Sequence, residues 1–305
     1  MPAHTEIPVW PYDPSLIHFY FAVSLARLRF LVFVCLFLLL MEIKAATGQG
    51  LSSAGVLVSP IDPSQIGTNA SAWCATQSED GTLFFGEDKL LVYNGAAWSS
   101  YKMGDSYAIR SLDFGADGRL WAVGVNEIGW FNETPTGDWS YHSLRSKLPP
   151  SIRDLGDVWN VHALAQGAIF VTQTKIIIWN GSEFKWWDHK VARRLVAGRG
   201  DNGFYVANYY SGFWKVSLDG PELIYPAHAF AGSQAFWMGQ RKGQTVFATT
   251  GGVGIMEDGR LRYVDSQISQ YVRTNILTSV QPLPDGSLAL GTLRGGIVIV
   301  DSDLH

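Results

Sequence analysis

The strongest constraint on this 305-residue chain is an internal repeat that begins near residue 70 and continues almost to the last residue. Each copy has a polar turn ending in glycine, an apolar strand, a second turn and another apolar strand. The turn glycines lie 36 to 49 residues apart, about 41 on average, which is the length of one four-stranded propeller blade. They are Gly81, Gly118, Gly167, Gly203, Gly243 and Gly286.

Flanking strands complete each copy. An apolar strand precedes every turn and an aromatic stretch follows the second apolar strand, so each unit has four strands. The repeat predicts an all-β protein, a β-propeller with six visible four-stranded blades, complete as a ring of six or forming part of a seven-bladed ring. Large aromatic residues at mid-strand are expected to fill the space between blades. They are Phe84, Trp121, Phe170, Tyr205 and Phe247.

The last copy ends after three strands, at Val300. Two alternatives remain open from the sequence. In the first, residues Gly55–Val58 supply the missing outer strand and close a ring of six. In the second, the chain is a fragment of a longer protein whose next blades are absent. We expect the fragment, because the chain ends five residues after a strand.

An apolar stretch near the N-terminus predicts a leader covering residues 1–46. Arg27 and Arg29 precede an uncharged core from Phe30 to Met41, and small residues follow it, which is the pattern of a secretory signal. The leader is either cleaved or kept as a signal anchor, and it contains Cys35, one of two cysteines. Residues 47–69 form a linker or the closing strand, and residues 70–305 form the propeller. We expect a periplasmic protein, or one anchored in the inner membrane and facing the periplasm.

Composition excludes some classes of function. Apolar residues make up 47% of the chain and charged residues 16%, which favours a buried core over disorder. A formal net charge of -4 gives no basic surface for nucleic acid, and contact with a membrane is expected only through the N-terminal segment. Cys74 lies in an apolar run and is expected to be a buried, unreactive thiol.

The copies resemble the two-component regulator propeller repeat. That repeat has a polar-apolar strand, an Asp-Gly turn, a Gly-Thr pair and a Gly-Gly pair before the next strand. The sixth copy matches it at Asn275, Ile276, Thr278, Ser279, Val280, Asp285, Gly286, Leu288, Gly291, Thr292, Gly295, Gly296 and Ile297. The second copy matches it at Ile109, Ser111, Leu112, Asp117, Gly118, Leu120, Trp121 and Gly124.

The resemblance covers roughly residues 70 to 301 and implies the periplasmic sensor region of a hybrid histidine kinase or a related regulator. Such propellers usually precede a β-sandwich, a membrane helix and an output domain. The sequence contains no pattern for any of these, so we expect a truncated chain that lacks its output domain. The repeat motifs are structural, so they indicate a blade more strongly than a ligand.

No pattern in the sequence predicts catalysis, a cofactor or a metal site. The seven histidines form no HxxxH or HxH pair, and no GxSxG elbow or glycine-rich phosphate loop is present. His162 lies in a predicted inner strand and is expected to be a buried histidine with a hydrogen-bond partner. Ser78–Gly81 superficially resembles a sialidase Asp-box, but the closing Thr-Trp pair is absent, and turn formation explains Asp80-Gly81 better. We therefore expect no enzymatic activity.

The candidate ligand surface is the ring of loops that lead into the inner strands. Arginines beside tryptophans can bind an anion or an oligosaccharide through bidentate hydrogen bonds and ring stacking. The candidates are Arg110, Trp159, Asn160, Arg193, Trp237 and Arg273.

The sequence thus predicts a non-catalytic, extracytoplasmic ligand-sensing propeller of a two-component-type system. Its expected partners are a small molecule or oligosaccharide, and a histidine kinase or another envelope protein. Two alternatives stay open: a polysaccharide-acting lyase or glycosidase, and an envelope protein-interaction scaffold.

Overall fold

The computed structural model describes residues 72–188, 196–200, 203–283 and 285–301, all within one compact unit, Ile66–His305. The predicted leader, the linker, the closing strand at residues 55–58 and Arg193 lie outside these residues. Within the described residues, six antiparallel sheets follow one another, five with four strands and the last with three. The predicted six-bladed, all-β propeller is confirmed. None of the helices in the described ranges combines the length and the hydropathy of a bilayer-crossing segment.

Each sheet is a meander whose strands pair in chain order. The innermost strands are β1 (Cys74–Gln77), β5 (Ile109–Phe114), β9 (Val158–Leu164), β13 (Val196–Gly200), β17 (Ala235–Arg241) and β21 (Leu277–Pro282). The second strands are β2 (Leu83–Gly86), β6 (Leu120–Gly124), β10 (Gly167–Thr172), β14 (Gly203–Asn208), β18 (Gln244–Thr249) and β22 (Leu288–Thr292). The third strands are β3 (Leu90–Tyr93), β7 (Glu127–Glu133), β11 (Lys175–Trp179), β15 (Gly212–Ser217), β19 (Gly252–Glu257) and β23 (Gly296–Val300). The outer strands are β4 (Trp98–Tyr101), β8 (Trp139–Ser143), β12 (Phe184–Asp188), β16 (Gly220–Tyr225) and β20 (Arg260–Tyr263).

The core lies between the faces of neighbouring sheets. All five aromatic side chains predicted there are buried, none more than 5% exposed. Phe170 of the third sheet packs against Trp121 of the second, and Phe247 of the fifth packs against Phe213 of the fourth, with ring centres 5.9 and 5.0 Å apart. One sheet cannot bury both of its faces, so the stacking of neighbours accounts for the stability of the unit.

The glycine turns define two ends of the ring. We call the end where the innermost strands begin the upper rim, and the end that holds the turn glycines the lower rim. At the lower rim the Asp80 carboxylate accepts hydrogen bonds from the Ser78 hydroxyl and the Thr82 N–H. These bonds lower the pKa of Asp80, the Ser78 hydroxyl most strongly. The turn reading of Asp80-Gly81 is therefore supported by its geometry.

One helix, α1 (Gln267–Asn275), joins the fifth and sixth sheets and was not predicted. Three short 3-10 turns, Arg145–Lys147, Pro150–Ile152 and Ala227–Phe230, lie in other connections. The Ser266 hydroxyl caps α1 by accepting a hydrogen bond from the Ser269 N–H, and Ile268 and Val272 are buried. Ile268, Tyr271 and Val272 have helical spacing, but nine residues are too short a segment for a helical period to be identified from the sequence.

The sixth sheet ends at β23 with the three strands that the sequence predicted. Ile297 and Ile299 lie on the same face of β23 and are 75% and 57% exposed. Val300, on the opposite face, is buried against the fifth sheet. Among the described residues nothing covers the first face.

Candidate functional site

Four innermost strands share an irregularity at their second residue. In β5, Ile109 pairs with Gly124 and Ser111 pairs with Val123, so Arg110 is an extra residue without a partner position. The strands β9, β17 and β21 have the same bulge. A bulge interrupts the alternation of side chains between the two faces of a strand, and so redirects the bulged side chain. Bulges are frequent at the rims of barrel-like folds. The bulged residues are Arg110, Trp159, Phe236 and Thr278.

Three side chains from three different sheets meet at the upper rim. The guanidinium carbon of Arg110 lies 3.9 Å from the ring centre of Trp73, just before β1, and 4.8 Å from that of Trp159 in β9. The two indoles lie edge to face, with centres 6.4 Å apart. Each contact is within the range of a cation–π interaction. We call Trp73, Arg110, Trp159 and the carboxylate of Asp157 the rim stack.

Asp157 fixes the position of the arginine. The Arg110 Nε and Nη2 atoms both donate to Asp157 Oδ1, at 3.2 and 3.1 Å. Asp157 itself lies just before β9 and is held by a backbone bridge to Val125 of the second sheet. The rim stack is therefore tied to regular backbone on three sheets, which limits its motion.

The electrostatics of the rim stack disfavour an anionic ligand. The Arg110 side chain is only 11% exposed, and its charge is already paired with Asp157. The Nη1 atom is buried and has no hydrogen-bond partner among the described residues. An anion would have to displace Asp157 from the Arg110 guanidinium or share that guanidinium with it. Either way, the existing charge-assisted hydrogen bonds between Arg110 and Asp157 would be lost or weakened.

The accessible part of the rim stack is aromatic and polar. Trp73 is 57% exposed, and the Asp157 side chain is 35% exposed. An exposed indole and a partly exposed carboxylate acceptor, both in contact with Arg110, match a neutral ring that carries hydroxyl donors. The geometry therefore suits a sugar ring better than the anion that the sequence left as an alternative.

The remaining predicted site residues do not join the rim stack. Asn160 follows the bulge in β9 and is half-buried opposite Val171. Arg273 is exposed in the last turn of α1. Trp237 is only 1% exposed and packs in the core between the fifth and sixth sheets, so it presents no surface to a ligand at the upper rim.

Trp73 and Asp157 were not predicted as site residues, although the sequence carries a signal for Trp73. Trp73 precedes Gly81 by the same number of residues that separates Arg110 from Gly118 and Trp159 from Gly167. Alignment of the copies on their turn glycines therefore places all three at one position of the repeat. Asp157 lies in the connection between the second and third sheets, and the copies of the repeat cannot be aligned with one another there.

A second polar contact joins the second and third sheets lower along the innermost strands. Asp113 Oδ2 accepts a hydrogen bond from the Ala163 N–H at 2.7 Å and lies 3.2 Å from His162 Nδ1. The His162 ring stacks on Phe204, with centres 4.6 Å apart. His162 has the hydrogen-bond partner that the sequence predicted, but it is half-buried where a buried histidine was expected, and it contributes to packing.

No protein-family profile matches the sequence, and no curated protein matches it. Solved structures match the fold. A catalytically inactive variant of virginiamycin B lyase from Staphylococcus aureus is 13% identical, with 74% of this chain and 78% of that chain covered and a TM-score of 0.54. PorZ, a surface component of the type-IX secretion system of Porphyromonas gingivalis, is 15% identical over 77% of this chain and 40% of that chain, with a TM-score of 0.53.

The matches also include extracellular domains of hybrid two-component systems from B. thetaiotaomicron. One of them is 14% identical, with 76% of this chain and 38% of that chain covered and a TM-score of 0.42. This chain therefore spans well under half of that domain. At these identities the comparisons establish one property of the chain, its β-propeller fold.

Proposed function

We propose that this chain is a non-catalytic, ligand-binding propeller that acts outside the cytoplasm as the sensory part of a two-component-type system. The rim stack is the observation that supports the binding role. It exposes the indole of Trp73 to solvent and holds it in a cluster whose residues come from three adjacent sheets. The repeat resemblance and the N-terminal secretory pattern support the sensory role and the location.

The ligand that the rim stack fits best is a neutral oligosaccharide. One sugar ring stacks on the exposed face of Trp73, while a ligand hydroxyl donates to the Asp157 carboxylate. Arg110 stays paired with Asp157 and holds the two indoles in place. Because the rim stack joins the first three sheets, an occupied site adds a connection between neighbouring blades.

Isothermal titration of the full chain with a panel of neutral oligosaccharides tests the binding role. We expect saturable binding below millimolar concentration, weakened at least about tenfold by Trp73→Ala. The matched control is Trp186→Ala, which removes a 36% exposed indole from β12, away from the innermost strands. Absence of binding across the panel, or equal binding by both variants, would overturn the proposal.

Two further measurements separate the proposed role from its alternatives. Release of reducing ends or of unsaturated products from a polysaccharide by the purified chain would favour a glycosidase or a lyase. Co-purification of an envelope protein that persists in the Trp73→Ala variant would favour a scaffold. A sensor is expected to give neither result, and to bind a histidine kinase or a related regulator in a manner that depends on the oligosaccharide.

A further inference from the structure

A second concave site lies at the lower rim, between the first and second sheets. It is a cleft of about 770 Å³, lined by both lower turns of each sheet. Those turns are residues 77–82 and 94–97 of the first sheet, and residues 115–118 and 133–137 of the second. The cleft therefore extends from the inner turns to the outer turns of both sheets. Its volume falls in the range of ligand-binding sites.

The walls of the cleft are aromatic. Tyr101, Phe114 and Trp139 line it and are half-buried, so each keeps part of its ring accessible. Phe84 supports them from the core, with its ring centre 5.0 Å from that of Trp139 and 5.2 Å from that of Phe114. Rings held in this way can receive a cation or an apolar side chain without rearrangement.

The charged groups that line the cleft are all acidic. Glu79 and Asp80 stand at the inner turn of the first sheet, and Glu133 stands beside the outer turn of the second. No lysine, arginine or histidine is among the described lining residues. Glu79 and Glu133 are exposed and make no ion pair or side-chain hydrogen bond within the described ranges. The cleft therefore offers carboxylates at both of its ends with aromatic rings between them.

The equivalent position between the third and fourth sheets shows that this combination is not a general feature of the repeat. The cavity there has about 330 Å³ and is lined by residues of the same lower turns, including Glu183 and Asp219. Lys185 lines it as well, and no aromatic residue does among those described. The fold thus supplies a cleft at both places, but only the first has unpaired carboxylates beside accessible rings.

We propose that the cleft between the first and second sheets binds an extended peptide segment that carries arginine or lysine side chains. A basic side chain is placed over Trp139 or Tyr101, and the carboxylates at the two ends of the cleft pair with basic groups along the segment. The volume of the cleft, and its lining by four turns with carboxylates from both sheets, favour a peptide over a single small amine. This site is on the opposite rim from the rim stack and is independent of the proposed sugar site.

The probe is a fluorescein-labelled octapeptide of alternating arginine and glycine, titrated into the full chain and followed by fluorescence anisotropy at about 0.15 M salt, where weak surface attraction is screened. The neutral analogue replaces each arginine by citrulline. We expect saturable binding of the arginine peptide and at least about tenfold weaker binding of the citrulline peptide. The double variant Glu79→Gln/Glu133→Gln is expected to weaken binding about fivefold.

Two controls locate the site. Glu183→Gln removes a carboxylate from the equivalent cavity and is expected to leave binding unchanged, as is Trp73→Ala on the upper rim. Equal binding of the arginine and citrulline peptides would overturn the proposal, as would unchanged binding by the Glu79/Glu133 double variant with its thermal unfolding preserved. Displacement of the peptide by spermine at equal charge concentration would overturn the assignment to a peptide.

Discussion

The pairing of Arg110 with Asp157 predicts a specific pattern of stability changes. Asp157→Ala removes two hydrogen bonds to the guanidinium and leaves a side chain that is 11% exposed without its counter-ion. Breaking a fully buried pair costs about 3–5 kcal/mol. Asp157 is itself 35% exposed, so water replaces part of the interaction, and we expect a loss of about 2 kcal/mol.

The double-mutant cycle sharpens this prediction. Arg110→Met keeps an unbranched side chain between the indoles but loses the cation–π contacts and the ion pair, and we expect a cost of about 1.5 kcal/mol. The double variant Arg110→Met/Asp157→Ala should cost about 2 kcal/mol, because neither charge then remains without its counter-ion. The resulting coupling is about 1.5 kcal/mol. The control pair, Arg262 with Glu257, has shorter bonds of 2.7 Å but is exposed, so Glu257→Ala should cost much less than Asp157→Ala.

Urea unfolding followed by far-ultraviolet circular dichroism measures these values, and an unchanged m value checks that the transitions are comparable. The reasoning would be refuted by additive effects in the double variant. It would also be refuted if Asp157→Ala cost less than about 0.5 kcal/mol, because Arg110 would then not depend on its counter-ion.

Three further predictions concern the rest of the fold. Cys74 is half-buried where a buried thiol was expected, and burial raises the pKa of its thiol to about 12. In a Cys35→Ser background the native protein should therefore react with a disulfide reagent at pH 8 more slowly than the urea-unfolded protein, and equal rates would contradict this. Ile297→Lys should change the unfolding free energy by less than about 0.5 kcal/mol, whereas Val300→Ala should cost about 1–2 kcal/mol; a large cost for the lysine would mean that another segment covers this face. Burial raises the pKa of Tyr141 well above its usual range. The contribution of the neutral Tyr141 side chain to the free energy of unfolding is therefore complete below about pH 10, and it is lost as the pH rises through the pKa of the folded state. Tyr141→Phe should therefore show a shallower loss of stability above about pH 10, measured by urea unfolding, and an unchanged slope would refute this.

The strands were predictable because turn chemistry and apolar patterning both act locally. Over the described ranges, the structure has four strands in each of the first five sheets and three in the last, as the repeat predicted. Each glycine turn fixes a hairpin, and the repeat then aligns hairpins whose own signals are weak. The number of blades followed from the same spacing.

The rim stack was only half predictable, because bulges change which residues face outward. One extra residue reverses the alternation of a strand, and the sequence does not show where it is inserted. In β17 the bulged residue is Phe236, so Trp237 turns into the core, opposite Ala248. In β5 and β9 the bulges fall on Arg110 and Trp159, which therefore reach the rim.

Asp157 shows a second limit of sequence reasoning. It lies in the connection between the second and third sheets, where no periodic pattern restricts its position. Its role depends on a bridge to Val125 and on two bonds to Arg110, both distant in sequence. Such contacts become visible only when neighbouring sheets are packed side by side.

The most direct test of the proposed sugar site is ¹⁹F NMR of the chain labelled with 5-fluorotryptophan, titrated with the oligosaccharide that binds best. The resonances of Trp73 and Trp186 are assigned by single substitution to phenylalanine. We predict that the Trp73 signal shifts with saturation at the affinity found by calorimetry, while the Trp186 signal stays in place. A Trp73 signal that does not respond, or equal shifts of both signals, would contradict the assignment of the rim stack as the ligand site.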